Sequence, residues 1–125
     1  MHLGIAKARI SGIDNEPTYF DHRCFWKIDI IFKKTSTLLF NHLNNIYMGD
    51  NFKEAKKYFE NFKNNLKSVG IENGTHLEIL FDKDNGRVIA FKNIFSDLWI
   101  DTSDKFKAKT FKDLNLSIDS LHIHT

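Results

Sequence analysis

The sequence ends in Leu121-His122-Ile123-His124-Thr125, and its two histidines stand at a spacing that puts both imidazoles on one face of a strand. Zinc enzymes use such a pair as two of three protein ligands, with water in the fourth position. A third ligand would have to come from His2, His22, His42 or His76, which qualify by type alone, and no H-E-x-x-H is present. Leu121 and Ile123 fill the alternate phase. A final strand with an apolar face inward and its histidines in water accounts for the pattern without a metal. We therefore expect neither a metal site nor a cofactor.

The remaining chemical candidates read similarly. Asp82-Lys83-Asp84-Asn85-Gly86 opens like a calcium loop, but its glycine comes one residue early and Asn93 stands where a bidentate glutamate belongs. Asn85-Gly86 between two apolar runs is instead a hairpin signal. Asp97 and Asp101 share a strand face, yet at ~3.4 Å per residue they stand about 13–14 Å apart. A glycosidase pair needs roughly 5–9.5 Å. The lone cysteine, Cys24, falls on the apolar phase of a strand and reads as a buried thiol. No glycine-rich phosphate loop and no G-x-S-x-G turn occurs. Catalysis by an acid–histidine pair remains open only because six histidines and many carboxylates are available.

Alternation and helical spacing define the elements that must position these residues. In "RCFWKIDIIFKK" one face carries Cys24, Trp26, Ile28, Ile30 and Phe32, and the other Arg23, Lys27, Asp29 and Lys33, which predicts one strand. "LGIAKARISGID" is its weaker partner strand, joined through a turn marked by Asn15 and Pro17. Ser36, with Leu39, Leu43 and Ile46 at helical spacing and Gly49 as a stop, predicts a short helix. A long helix follows. Phe52, Ala55, Phe59, Phe62, Leu66 and Val69 form its stripe, Asn51 with Glu54 its start, and Gly70 its left-handed end.

Strands then succeed one another at short intervals. "THLEILFD" turns Leu77, Ile79 and Phe81 to one side, and "GRVIAFKNIF" turns Ile89, Phe91 and Phe95. "SDLWID" sets Leu98 and Ile100 against Asp97, Trp99 and Asp101; "KFKAKTF" sets Phe106 and Ala108 against its lysines. "LNLSIDSLHIHT" closes the chain with a phase shift near Asp119-Ser120. Short turns make antiparallel neighbours. The expected fold is α+β: a mainly antiparallel sheet of about six strands with one long and one short helix packed on one face.

Composition bounds the function classes. Residues 1–125, with 42% apolar residues and 12 Phe, suit one domain with ample core material. No linker, repeat, secretory leader or membrane-length apolar run is apparent, and a single cysteine suits a reducing compartment, so a cytoplasmic protein is expected. A net charge of +2 with fifteen lysines and three arginines disfavours a dedicated nucleic-acid binder. The lysine-aromatic run "DKFKAKTFKD" keeps a weak single-strand reading open, with Phe106 more simply read as core. A protein partner fits best. Trp99, outward between Asp97 and Asp101 and near Asp104, is the expected contact for a basic partner.

A compact α+β chain rich in Lys, Asn, Ile and Phe, through stretches such as "FWKIDIIFKK" and "FENFKNNLKSVGI", resembles bacterial immunity proteins. These neutralise toxin domains in contact-dependent growth inhibition and related polymorphic toxin systems. The resemblance lies in whole-chain character and rests on no motif. It implies a one-to-one complex with a cognate toxin, a nuclease being one candidate, whose active site or substrate surface is blocked. Many nuclease inhibitors are strongly acidic whereas this chain is slightly basic, so an acidic contact would act locally. A small enzyme with an acid–histidine site and a weak nucleic-acid-binding domain are the rival expectations.

Overall fold

The computed structural model describes residues 2–33 and 45–116 and the backbone of Ile123–His124. The fold is α+β and mainly antiparallel. Strand β1 (Leu3–Ile13) is the hub of a seven-stranded sheet. Along one edge it pairs with β6 (His76–Asp82), followed by β7 (Val88–Asn93), β8 (Trp99–Asp101) and β9 (Lys107–Lys109), all antiparallel. Its other edge is shared. The backbone of β10 (Ile123–His124) runs parallel to Leu3 and Gly4, while β4 (Ile28–Phe32) runs antiparallel to Ala8–Ile13.

The strand expected over the region around residues 23–33 is two strands in two sheets. Residues up to Trp26 form β3 (Arg23–Trp26), which joins β2 (Thr18–Phe20) and β5 (Ile46–Gly49) in a three-stranded sheet. Lys27 is the corner between β3 and β4. Its carbonyl accepts the Asp14 N–H at 3.2 Å, and the Trp26 indole N–H donates to the Asp14 carbonyl at 2.8 Å. The alternation survives because the bend keeps phase: Cys24, Trp26, Ile28 and Ile30 are all buried. The short helix expected from Ser36 falls mostly outside the described residues. Its described tail, Ile46–Gly49, is the strand β5.

The long helix, α1 (Phe52–Ser68), matches its sequence signals closely. The Asn51 side chain accepts the Lys53 and Glu54 N–H groups at 2.9 and 3.2 Å. At the other end Gly70, at φ +73°, lets its N–H reach the Lys67 carbonyl and that of Ile71 reach the Leu66 carbonyl. This is a Schellman closure, with Ile71 packed as its apolar clasp near Leu66. Ala55, Phe59, Phe62 and Leu66 are buried against the sheet; Phe52, expected in the same stripe, is instead exposed in the first turn.

The large sheet is covered on both faces. Under α1, Trp26 meets Phe59 at 5.0 Å between ring centroids, and Phe62 stacks on Phe106 at 4.4 Å. Phe106 holds φ +55°, rare for a bulky residue, in the turn before β9; its buried ring fixes that conformation. On the opposite face Leu3, Leu80, Ala90, Trp99 and Leu114 form a second cluster. Leu114 belongs to a short 3-10 turn (Lys112–Leu114) where the sequence suggested strand, and this turn lids Trp99.

Candidate protein-interaction surface

The expected contact at Asp97, Trp99, Asp101 and Asp104 does not present a tryptophan. Trp99 is only 6% exposed, its ring 6.2 Å from that of Phe111 and beneath the Lys92 ammonium at 5.7 Å. Both phases of β8 carry apolar residues because both faces of the sheet are covered, so alternation could not assign an outside. Leu98, expected inward, is 37% exposed instead. Asp97 is exposed as expected.

Asp101 is buried and engaged. Its carboxylate accepts from the Lys109 ammonium at 2.9 Å and from the Ser103 hydroxyl and N–H at 2.8 and 2.9 Å. Burial pushes its pKa up, but these hydrogen bonds together outweigh burial and hold it below the ordinary carboxylate value. Lys109 also reaches Asp104 at 2.7 Å, which lowers the pKa of Asp104. The hydrogen bonds to Asp104 and then Asp101 raise that of Lys109. The triad closes the β8–β9 hairpin; among the described residues Asp97 is the one acid of the expected strip without an ion-pair partner.

A different surface puts aromatic rings in water: the outer face of β2–β3–β5. Asp21 and His22 hold φ +50° and +60°, the geometry of a two-residue hairpin turn, and set Phe20 opposite Arg23 and Thr18 opposite Phe25. With Cys24 and Trp26 turned to the core, Arg23 and Phe25 turn outward. Phe20 follows on the neighbouring strand, 73% exposed. On the other side Tyr47, half-exposed, stands opposite Phe25 with ring centroids 5.7 Å apart. Tyr47 donates its hydroxyl hydrogen bond to Asp50; that bond, and then burial, raises its pKa. Between the strands and Asn45 lies a cleft of about 420 Å³ bounded by Asp14, Thr18, Phe20, Phe25 and Lys27.

This face was missed from sequence for identifiable reasons. Thr18–Phe20 lay inside a presumed turn, because Asp21-His22 lacks the glycine that announces such hairpins, and Tyr47 lay in a presumed helix. The usable signal was Phe25, an apolar residue in the polar phase between Arg23 and Lys27.

Chemical groupings elsewhere are sparse. His2 and Asp84 meet at 3.2 Å, and His22 meets the Tyr19 hydroxyl at 3.1 Å, both on open surface. Among the described residues no three His, Cys, Asp or Glu side chains converge as for a metal. His122 and the side chain of His124 lie outside the described residues. Asp82 accepts the Asp84 N–H at 2.9 Å within the hairpin, as the turn reading of that stretch expected. Cys24 is buried. Among the described residues no helix is long and apolar enough to cross a membrane. Comparison with protein-family models, curated proteins and solved structures gives no match.

Proposed function

We propose that this protein is an immunity protein, which binds a cognate toxin domain one-to-one in the cytoplasm and blocks its active site or substrate surface. The observation that supports this reading is the aromatic outer face of the small sheet. Phe20 and Tyr47 are exposed, and Phe25, partly buried, lies on the strand between them with its ring 5.7 Å from that of Tyr47. Apolar surface gathered on one face costs solubility and is retained where a partner covers it. Arg23 and Lys27 border it and would set orientation and on-rate.

The test is co-expression with the product of the adjacent reading frame, scored by viability and by pull-down in 0.5 M salt. Protection and a salt-tolerant one-to-one complex are expected, weakened at least roughly tenfold by the double change Phe20→Ala and Phe25→Ala. The absence of both binding and protection would overturn the reading.

One feature favours a second reading. Arg23 and Phe25 turn outward along β3 and Lys27 follows at the corner, beside Phe20 and Tyr47, a pattern that also stacks and holds single-stranded nucleic acid. Fluorescence anisotropy with oligo-dT and oligo-U at low salt checks it. Binding would fall steeply with added salt and with Phe25→Ala; no binding at low salt ends this reading.

A further inference from the structure

The loop between β7 and β8, residues 94–98, holds a phenylalanine in water on an unusually well-fastened backbone. The sequence alternation placed Phe95 inward with Ile89 and Phe91, yet it is 91% exposed. A single exposed apolar side chain needs no explanation in itself. Here the surroundings do. The Lys92 ammonium, largely withdrawn from solvent, donates to the carbonyls of Asn93, Ile94 and Ser96 at 3.3, 3.4 and 2.9 Å. That matches its three N–H donors, and Glu78 lies 3.6 Å behind it.

The Asn93 side chain works in two directions. Its oxygen accepts the Phe95 N–H at 3.0 Å, and its NH2 donates to the Gly70 carbonyl at 2.9 Å, tying the loop to the end of α1. Ile94 N–H donates to the His76 carbonyl, Ser96 N–H to the Asn93 carbonyl, and Leu98 N–H to the Ser96 hydroxyl. A looser loop could turn Phe95 inward. This one cannot do so without breaking several of these bonds, one set of them charge-assisted.

We infer that residues 95–98 are a preorganised anchor, with Phe95 and Leu98 entering an apolar pocket of the toxin partner while Asp97 meets a cation on its rim. The inference rests on the immunity reading and adds the kind of site being filled: an apolar recess edged by Lys or Arg. Such a recess is what a cleft for an anionic substrate presents. Charge complementarity selects it, because at the tip of this loop the acid, Asp97, is exposed whereas the base, Lys92, is folded back onto carbonyl groups. Preorganisation serves affinity directly, since the loop loses little freedom on binding.

The experiment measures binding of the adjacent reading frame's product to the wild type and to Phe95→Ala, Asp97→Asn and, as a control, Lys57→Ala. Melting curves run alongside. Phe95→Ala should weaken the complex roughly 30-fold or more, the effect of a buried aromatic hot spot, with an unchanged melting temperature. Asp97→Asn should slow association several-fold at low salt and little at high salt. A wild-type complex that Phe95→Ala leaves within twofold overturns the anchor and spares the immunity reading. No wild-type complex overturns both.

Discussion

Lys109 joins two carboxylates, and its consequences depend on pH. Asp101 and Asp104 are held below the ordinary carboxylate value of about 3.9, so the stability they contribute is present above it and is lost as pH falls through their native values. Lys109 is raised above about 10.4, so its contribution is present below that value and is lost only as pH climbs through its native value. The triad therefore acts across the whole neutral range. Lys109→Met should lower the urea midpoint at pH 7, and this loss should shrink as pH falls through the native values of Asp101 and Asp104, because a protonated carboxyl needs no cation. A loss that stays constant down an acid pH series would mean that Lys109 acts by packing alone. Trp99 and Phe20 give a second contrast. Trp99→Ala empties part of a core and should destabilise by about 3–5 kcal/mol, while Phe20→Ala should stay within about 0.5 kcal/mol, both read from urea unfolding. At this scale the sequence was legible where one face alone is buried, as for Cys24 and Trp26. It misled where both are, as at Trp99.

Helix α1 shows what makes an element legible. Its start at Asn51, stripe from Ala55 to Leu66 and stop at Gly70 are local signals that agree with one another. The stop can be weighed. Gly70 lies at φ +73° with the Asn93 NH2 only 3.2 Å from where a Cβ would stand. Gly70→Ala should cost about 1–2 kcal/mol from the left-handed conformation alone, measured as a loss in urea stability. No loss would show that the helix end re-forms without its Schellman closure. The strands were less legible because partners chosen by the rest of the chain decide them. The break at Lys27 depends on Asp14, and β5 takes its strand character from pairing with β3. The Phe95 loop depends on Lys92, whose fold-back onto carbonyl groups leaves no trace in alternation.

The two tryptophans report on opposite faces of one sheet: Trp26 belongs to the cluster beneath α1, and Trp99 to the cluster under the 3-10 turn. If the sheet couples these cores, single-tryptophan variants made by Trp99→Phe and Trp26→Phe should each show one sigmoidal urea transition by fluorescence, coincident with that variant's own loss of circular dichroism. Non-coincidence would reveal two units that melt separately. That coupling runs through β1, which meets β4, β6 and β10. Its place in chain order has a kinetic consequence. β1 precedes all its partners in the chain, and Leu3 pairs with Asp82 on one side and Ile123 on the other. During translation its backbone must wait with both edges open, first for β4 and then for the much later β6. Folding is thereby weighted towards slow, long-range closure, and the nascent chain displays an apolar, pairing-competent segment that a ribosome-bound chaperone would be expected to shield.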